Sequence, residues 1–155
     1  MMKRTIGCIA SLLLMLGVSG VQAQKLTVGS KAPELKIRGW VGEKPRTEEG
    51  AMFVEFFYSA SKQCVENLDK LDALARTTPS VTFVVMTKEG AEKIGTIEAL
   101  QERAFFVALD DGGKSFAAFD VNYVPFGVLL DRRGRVLWHG NSTELNEKLI
   151  KQYVK

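Results

Sequence analysis

Histidine occurs once and cysteine twice in this chain of 155 residues. With His139 alone and no cluster of cysteine and histidine, the sequence offers no ligand set for a transition metal. It also has no Gly-rich loop placed to cradle a phosphate, so neither a metal nor a cofactor is expected. Long hydrophobic runs are missing as well. The longest near the start, Ile9 to Val18, is too short to cross a bilayer. No internal repeat, low-complexity tract or Pro-rich linker divides the chain. Neither sign of charge dominates: the formal net charge is +3, which gives no reason to expect nucleic acid or an anionic membrane as partner.

The first residues read as a leader. Lys3 and Arg4 precede the apolar stretch, and Val21-Gln22-Ala23 follows it with small residues where a signal peptidase cuts. The expected organisation is a signal peptide over 1–23, cleaved after Ala23, and one domain over 24–155, exported to the periplasm or outside the cell. A retained N-terminal anchor is the rival reading. Cleavage would remove Lys3, Arg4 and Cys8, lowering the net charge from +3 to +1 and leaving Cys64 as the one cysteine. An exported compartment permits disulfides, yet a chain with one cysteine cannot form an internal one.

The remaining residues alternate between two periodicities. Leu26 to Leu35, with Gly29 and Pro33, reads as an irregular lead-in, Ile37 to Val41 as a short strand, and Gly42 to Gly50 as a loop. Met52 to Tyr58 is apolar apart from Glu55, the pattern of a strand buried on both faces. From Ser61 to Arg76 the period becomes helical, with Cys64, Leu68, Leu71 and Ala75 on one side and Ser61 as N-cap. Val81 to Met86 predicts a strand, Ala91 to Arg103 a helix weakened by Gly95, Phe105 to Leu109 a strand, and the residues up to Phe119 a short helix. Phe126 to Leu130 and Val136 to Trp138 flank a turn at Asp131 to Arg135 and predict a β-hairpin. Asn141-Ser142-Thr143 is expected to cap a last helix with Leu145, Leu149, Ile150 and Tyr153 on its apolar face. The order β-α-β-α-β-β-α predicts an α/β domain with a mixed central sheet flanked by helices.

Three motifs in that order carry a resemblance. Val54-Glu55-Phe56-Phe57 followed by Ser61-Lys62-Gln63-Cys64 resembles the thioredoxin segment V-D-F-W-A-x-W-C-G-P-C. Val28-Gly29-Ser30-Lys31-Ala32-Pro33 is similar to the V-G-x-x-A-P start of the redoxin branch. Val124-Pro125 with Val128 to Val136 is similar to that branch's V-P-x-x-x-L-I-D-x-x-G-x-I. Over roughly residues 26–153 the chain thus resembles the exported thioredoxin-like thiol–disulfide oxidoreductases of the TlpA and ResA type, which implies a thioredoxin-like fold. The resemblance puts Ser61 where the family has its nucleophilic cysteine and Cys64 where it has the buried resolving one. Glu55 falls at the acid that moves protons to and from that cysteine, and Pro125 at the cis-proline beside the disulfide. Lys62-Gln63 replaces the dipeptide that tunes the potential, and Ala60 the aromatic before the first cysteine.

A serine hydroxyl does not replace a thiolate in disulfide exchange without an activating base, so the family's two-cysteine cycle is excluded. Mixed-disulfide chemistry at Cys64, with a protein thiol or disulfide as partner, is the most that survives. A redox-silent module that docks an extended polypeptide in the groove beside Pro125 is the alternative. A third reading compares Ser61-Lys62-Gln63-Cys64 with the T-x-x-C of peroxiredoxins; the proline of their loop is absent, and Pro125 stands in place of their arginine. Exposure of the Cys64 sulfur separates the first two: an open thiol favours mixed disulfides, a sealed one the docking module. Helix-terminal position would lower the Cys64 pKa, whereas burial and Glu55 would raise it. Glu55 itself, in an apolar strand, needs a partner such as Lys62 or Lys88, or a proton. His139 is read as a solvated hairpin residue rather than a base for Ser61.

Overall fold

The computed structural model describes residues 25–46 and 50–155. The expected leader over 1–23 and its expected cleavage site lie outside these residues. Six strands form one sheet: β1 (Ile37–Val41), β2 (Ala51–Phe57), β3 (Val81–Thr87), β4 (Phe106–Asp110), β5 (Phe126–Leu130) and β6 (Val136–Asn141), in the order β1-β4-β3-β2-β5-β6. The β2–β3 and β3–β4 pairs are parallel, and the other three are antiparallel. Four helices join them: α1 (Lys62–Thr77), α2 (Ala91–Gly95), α3 (Lys114–Ala118) and α4 (Glu147–Tyr153). This is a thioredoxin-like α/β fold.

Alternation along β2 sorts its side chains between two cores. Phe53 and Phe57 join the cluster that includes Leu68 and Leu71 of α1 and Ile150 of α4. Val54 and Phe56 join the opposite cluster with Phe116 and Phe119, from α3 and the residue after it. Glu55 shares the parity of Phe53 and Phe57, so its carboxyl is delivered under α1. The long helix begins where expected: the Ser61 hydroxyl accepts the Cys64 backbone N–H at 3.3 Å.

Two helices differ from the sequence reading. The helix expected over Ala91 to Arg103 ends at Gly95, and the chain continues through a 3₁₀ turn at Glu98–Leu100. Glycine's freedom in the unfolded chain costs a helix interior about 1 kcal/mol against alanine. Arg103 leaves the helical path and pairs with Asp69 of α1 at 2.9 Å. The last helix starts later than expected. Strand β6 runs on to Asn141, whose side chain accepts the Thr143 N–H of a 3₁₀ turn over Ser142–Glu144. Asn146 then caps α4 by accepting the Leu149 N–H at 2.9 Å. Leu145 and Ile150 are buried, but Tyr153 is exposed and lies off the apolar face. Ser142 is drawn inward instead of capping, for a reason given below.

Gly127 lets β5 approach its neighbours. It pairs with Glu55 across the β2–β5 register, and a Cβ there would overlap the Phe53 ring and press on Ser142. Phe53 is fully buried between Phe83 and Trp138 and has nowhere to retreat. Gly127→Ala is therefore expected to lower unfolding free energy by about 1–3 kcal/mol, the usual cost of overpacking. Urea melts of the two proteins measure it, and an unchanged midpoint would contradict this packing.

Candidate functional site

The site is built where β2, α1 and β5 meet. Strand β2 ends at Phe57, the loop Tyr58 to Ser61 turns the chain, and α1 starts at Lys62. Phe56 pairs with Phe126, so the register carries Pro125 to the level of Phe57. The Val124–Pro125 peptide bond is cis, as the resemblance implied. Ser61, Cys64 and Pro125 are therefore gathered at one end of the sheet, with Glu55 beneath the start of α1.

Cys64 is a free thiol with 0% of its surface exposed. Burial is the main influence pushing its pKa up, and the carboxyls of Glu55 and Glu89 add to it. Hydrogen bonds from the Ser61 side chain and the Tyr58 backbone pull in the other direction without prevailing. Of the two opposed effects read from the sequence, burial wins over the helix terminus. No His139 bond to Ser61 occurs among the described residues; the imidazole instead lies 6.2 Å from the Phe126 ring. Ser61 thus bonds the α1 backbone and the Cys64 thiol, and His139 supplies it no base.

Glu55 is 1% exposed and is not paired with either lysine proposed for it. Lys62 points to solvent and lies 3.5 Å from Glu66. Lys88 sits over the Phe116 ring, on the opposite face of the sheet. The carboxyl is held by groups that sequence reasoning assigned elsewhere or passed over. Ser142 donates its hydroxyl to Glu55 Oε1 at 2.7 Å, Asn67 donates to the same oxygen at 3.4 Å, and Asn67 also donates to Ser142 Oγ at 3.1 Å. Lys70, one turn from Asn67 at the helix edge, donates to the Ser142 and Thr143 carbonyls at 2.9 and 2.6 Å. The signal for Asn67 was present: it lies on the buried stripe of α1, three residues after Cys64 and one before Leu68.

Burial raises the Glu55 pKa from 4.5 to about 8, against the opposing bonds from Ser142 and Asn67 and the charge of Lys70. At neutral pH the group is mostly a neutral acid. Its Oε1 accepts two bonds, and its Oε2 is buried with no partner among the described residues. A neutral acid explains how a carboxyl survives in an apolar strand without a counter-ion. It also keeps a full negative charge away from Cys64 near neutrality.

A second acid fixes the loop. Glu89 accepts the Ser59 backbone N–H at 2.9 Å, the Ser59 hydroxyl, the Thr87 hydroxyl at 3.1 Å and the Lys93 ammonium at 2.7 Å. Burial opposes charge on Glu89, but these donors outweigh it and hold the carboxyl below its usual range. Tyr58, just after β2, and Tyr123, shortly before β5, remain about half exposed, at 49% and 51%. Tyr123 is braced edge-on against Phe126, with ring centroids 5.3 Å apart.

Among the described residues no group of three His, Cys, Asp or Glu could hold a metal ion, and no helix is long and apolar enough to cross a membrane. No protein-family model and no curated protein matches the sequence. Solved structures do match. A thiol:disulfide interchange protein by name, DsbE from Chlorobium tepidum, superposes with a TM-score of 0.70 at 19% identity, over 84% of this chain and 99% of that one. A thiol-disulfide isomerase from Corynebacterium glutamicum gives 0.65 at 16% identity, over 80% and 93%. The thioredoxin domain of a thiol-disulfide oxidoreductase from Bacteroides vulgatus gives 0.65 at 15%, over 84% and 99%. At such identities the likeness establishes the thioredoxin-like fold.

The pH dependence of stability reports on Glu55. Its contribution is fully present below pH 4.5, where folded and unfolded forms are both protonated. As pH rises from 4.5 to about 8 the unfolded carboxyl ionises and the folded one does not, so stability falls; above about 8 the slope disappears. Glu55→Gln removes this titration. Between pH 5 and 8 the variant is expected to gain on the parent by on the order of 3 kcal/mol. Parallel stability curves in urea titrations across that range would contradict the raised pKa.

Proposed function

We infer that this chain is an exported, redox-silent member of the thioredoxin-like group that docks extended polypeptide at the Ser61–Pro125 end of its sheet. The sealed sulfur of Cys64 carries this conclusion. A thiol with no exposed surface and a raised pKa is neither a nucleophile nor a target at neutral pH. Ser61 supplies no alternative, because its hydroxyl caps α1 and no base is bonded to it among the described residues. The same two observations weigh against the peroxidase reading, since a peroxidatic cysteine needs access and a thiolate. Export is supported by the leader pattern of Lys3, Arg4, the apolar stretch and Ala23.

The surface around the retired site remains suited to a chain. Tyr58 and Tyr123 flank it with half-exposed rings. Such rings are frequent binding anchors, since they bury large area at low entropic cost. Glu89 and Phe126 hold both tyrosine-bearing loops in place before any partner arrives, which lowers the ordering cost of association.

Binding of a fluorescent, cysteine-free, unfolded polypeptide tests the inference. Anisotropy is expected to show saturable binding that Cys64→Ala leaves intact. Tyr58→Ala and Tyr123→Ala should each weaken it by about tenfold, the effect of losing roughly 1.4 kcal/mol at an anchor. The same protein should reduce insulin disulfides no faster than a Cys64→Ala control. Turnover above that control would favour mixed-disulfide chemistry, and absence of saturable binding to the cysteine-free chain would overturn the docking reading.

A further inference from the structure

The lower half of the sheet's second face is incompletely covered. Helix α3 has five residues, and with Phe119 it covers Phe56 at the upper end. Below it, cover comes from the irregular lead-in, which crosses from its bonds with Gly134 and Val136 towards β1. A groove of about 940 Å³ remains there, within the range of small-molecule sites. Five residues of β2, about 17 Å, separate Met52 in this groove from Phe57 at the upper end.

Its floor and its rim differ in character. Met52 and Leu130, partners in the β2–β5 register, form the floor, with Trp40 of β1 and Leu35 of the lead-in beside them. Lys31, Arg38, Lys44 and Arg132 line the margins. Among the described residues, the two acids that line it, Glu34 and Asp131, bond other groups. Glu34 pairs with Lys36 at 2.6 Å, and Asp131 accepts the Arg133 and Arg135 backbone N–H groups at 2.8 and 2.9 Å. Lys31 and Arg132 have no carboxylate within 4.0 Å among the described residues. An apolar trough with a positive rim is complementary to one chemical class.

The geometry points to a binding site for a small anionic amphiphile, an acyl or aromatic body lying against Trp40, Met52 and Leu130 with a carboxylate or phosphate head between Lys31 and Arg132. The apolar body gains by leaving water, and the head gains two cations that have no carboxylate within 4.0 Å among the described residues. The site is independent of the polypeptide surface, which lies at the other end of β2.

Calorimetric titration of the purified chain with decanoate tests this. One saturable site is expected. Octyl glucoside below its micellar threshold, a tail with a neutral head, should bind at least about tenfold more weakly, and acetate and inorganic phosphate, heads without tails, should not saturate. The double change Lys31→Glu with Arg132→Glu, both on the exposed rim, should weaken decanoate by about tenfold or more. Trp40→Ala should weaken it further, while Lys148→Glu on α4 should not alter it. The rim change carries the test if Trp40→Ala does not fold. Absence of saturable decanoate binding, equal binding of phosphate, or indifference to the rim change would overturn the proposal.

Discussion

Ser142, the first residue after β6, donates its hydroxyl to the Glu55 carboxyl of β2, 2.7 Å away. That bond decides the shape of the sheet's end and the chemistry beneath α1. It draws Ser142 into the interior, so β6 extends to Asn141 and the last helix waits for Asn146. It brings the Ser142 and Thr143 carbonyls within reach of Lys70, which ties the strand's end to the long helix. Gly127 leaves room for the arrangement, because any side chain there would press on Phe53 and Ser142. The acid at its centre is neutral at pH 7, and burial keeps it so.

The same burial governs the sulfur. Cys64 lies on the inward stripe of α1, in the cluster that contains Phe57, Leu68 and Leu71. In a two-cysteine site an exposed first sulfur would give the buried second one its work. Here the first position is a hydroxyl that bonds the helix backbone and the buried thiol. What is left at the surface is shape: two braced tyrosines and a loop pinned by Glu89.

Local signals made most of the fold legible. The apolar run ending at Phe57, the cap at Ser61 and the turn before Arg135 fixed β2, α1 and the β5–β6 hairpin to within a few residues, because each rests on near neighbours. The helix expected through Gly95 stops there on a local cost, whereas the cap expected at Asn141 is displaced by a distant residue, since Ser142 is drawn to Glu55. For the same reason Glu55 was recognised as needing a partner, yet the partner was sought among lysines. Hydroxyl and amide donors 87 and 12 residues away leave no mark in sequence spacing. The groove under the lead-in was invisible too, since its apolar floor and basic rim come from four separate segments.

The central claim is that Cys64 is sealed and carries no thiolate near neutral pH. It is tested most directly by alkylation with iodoacetamide as a function of pH, in a Cys8→Ser chain so that Cys64 alone reports. Labelling is expected to be at least about a hundredfold slower folded than in denaturant, with an apparent thiol pKa above the free value of about 8.5. Equal rates in the two states, or an apparent pKa below that value, would contradict the account and return Cys64 to the list of working thiols.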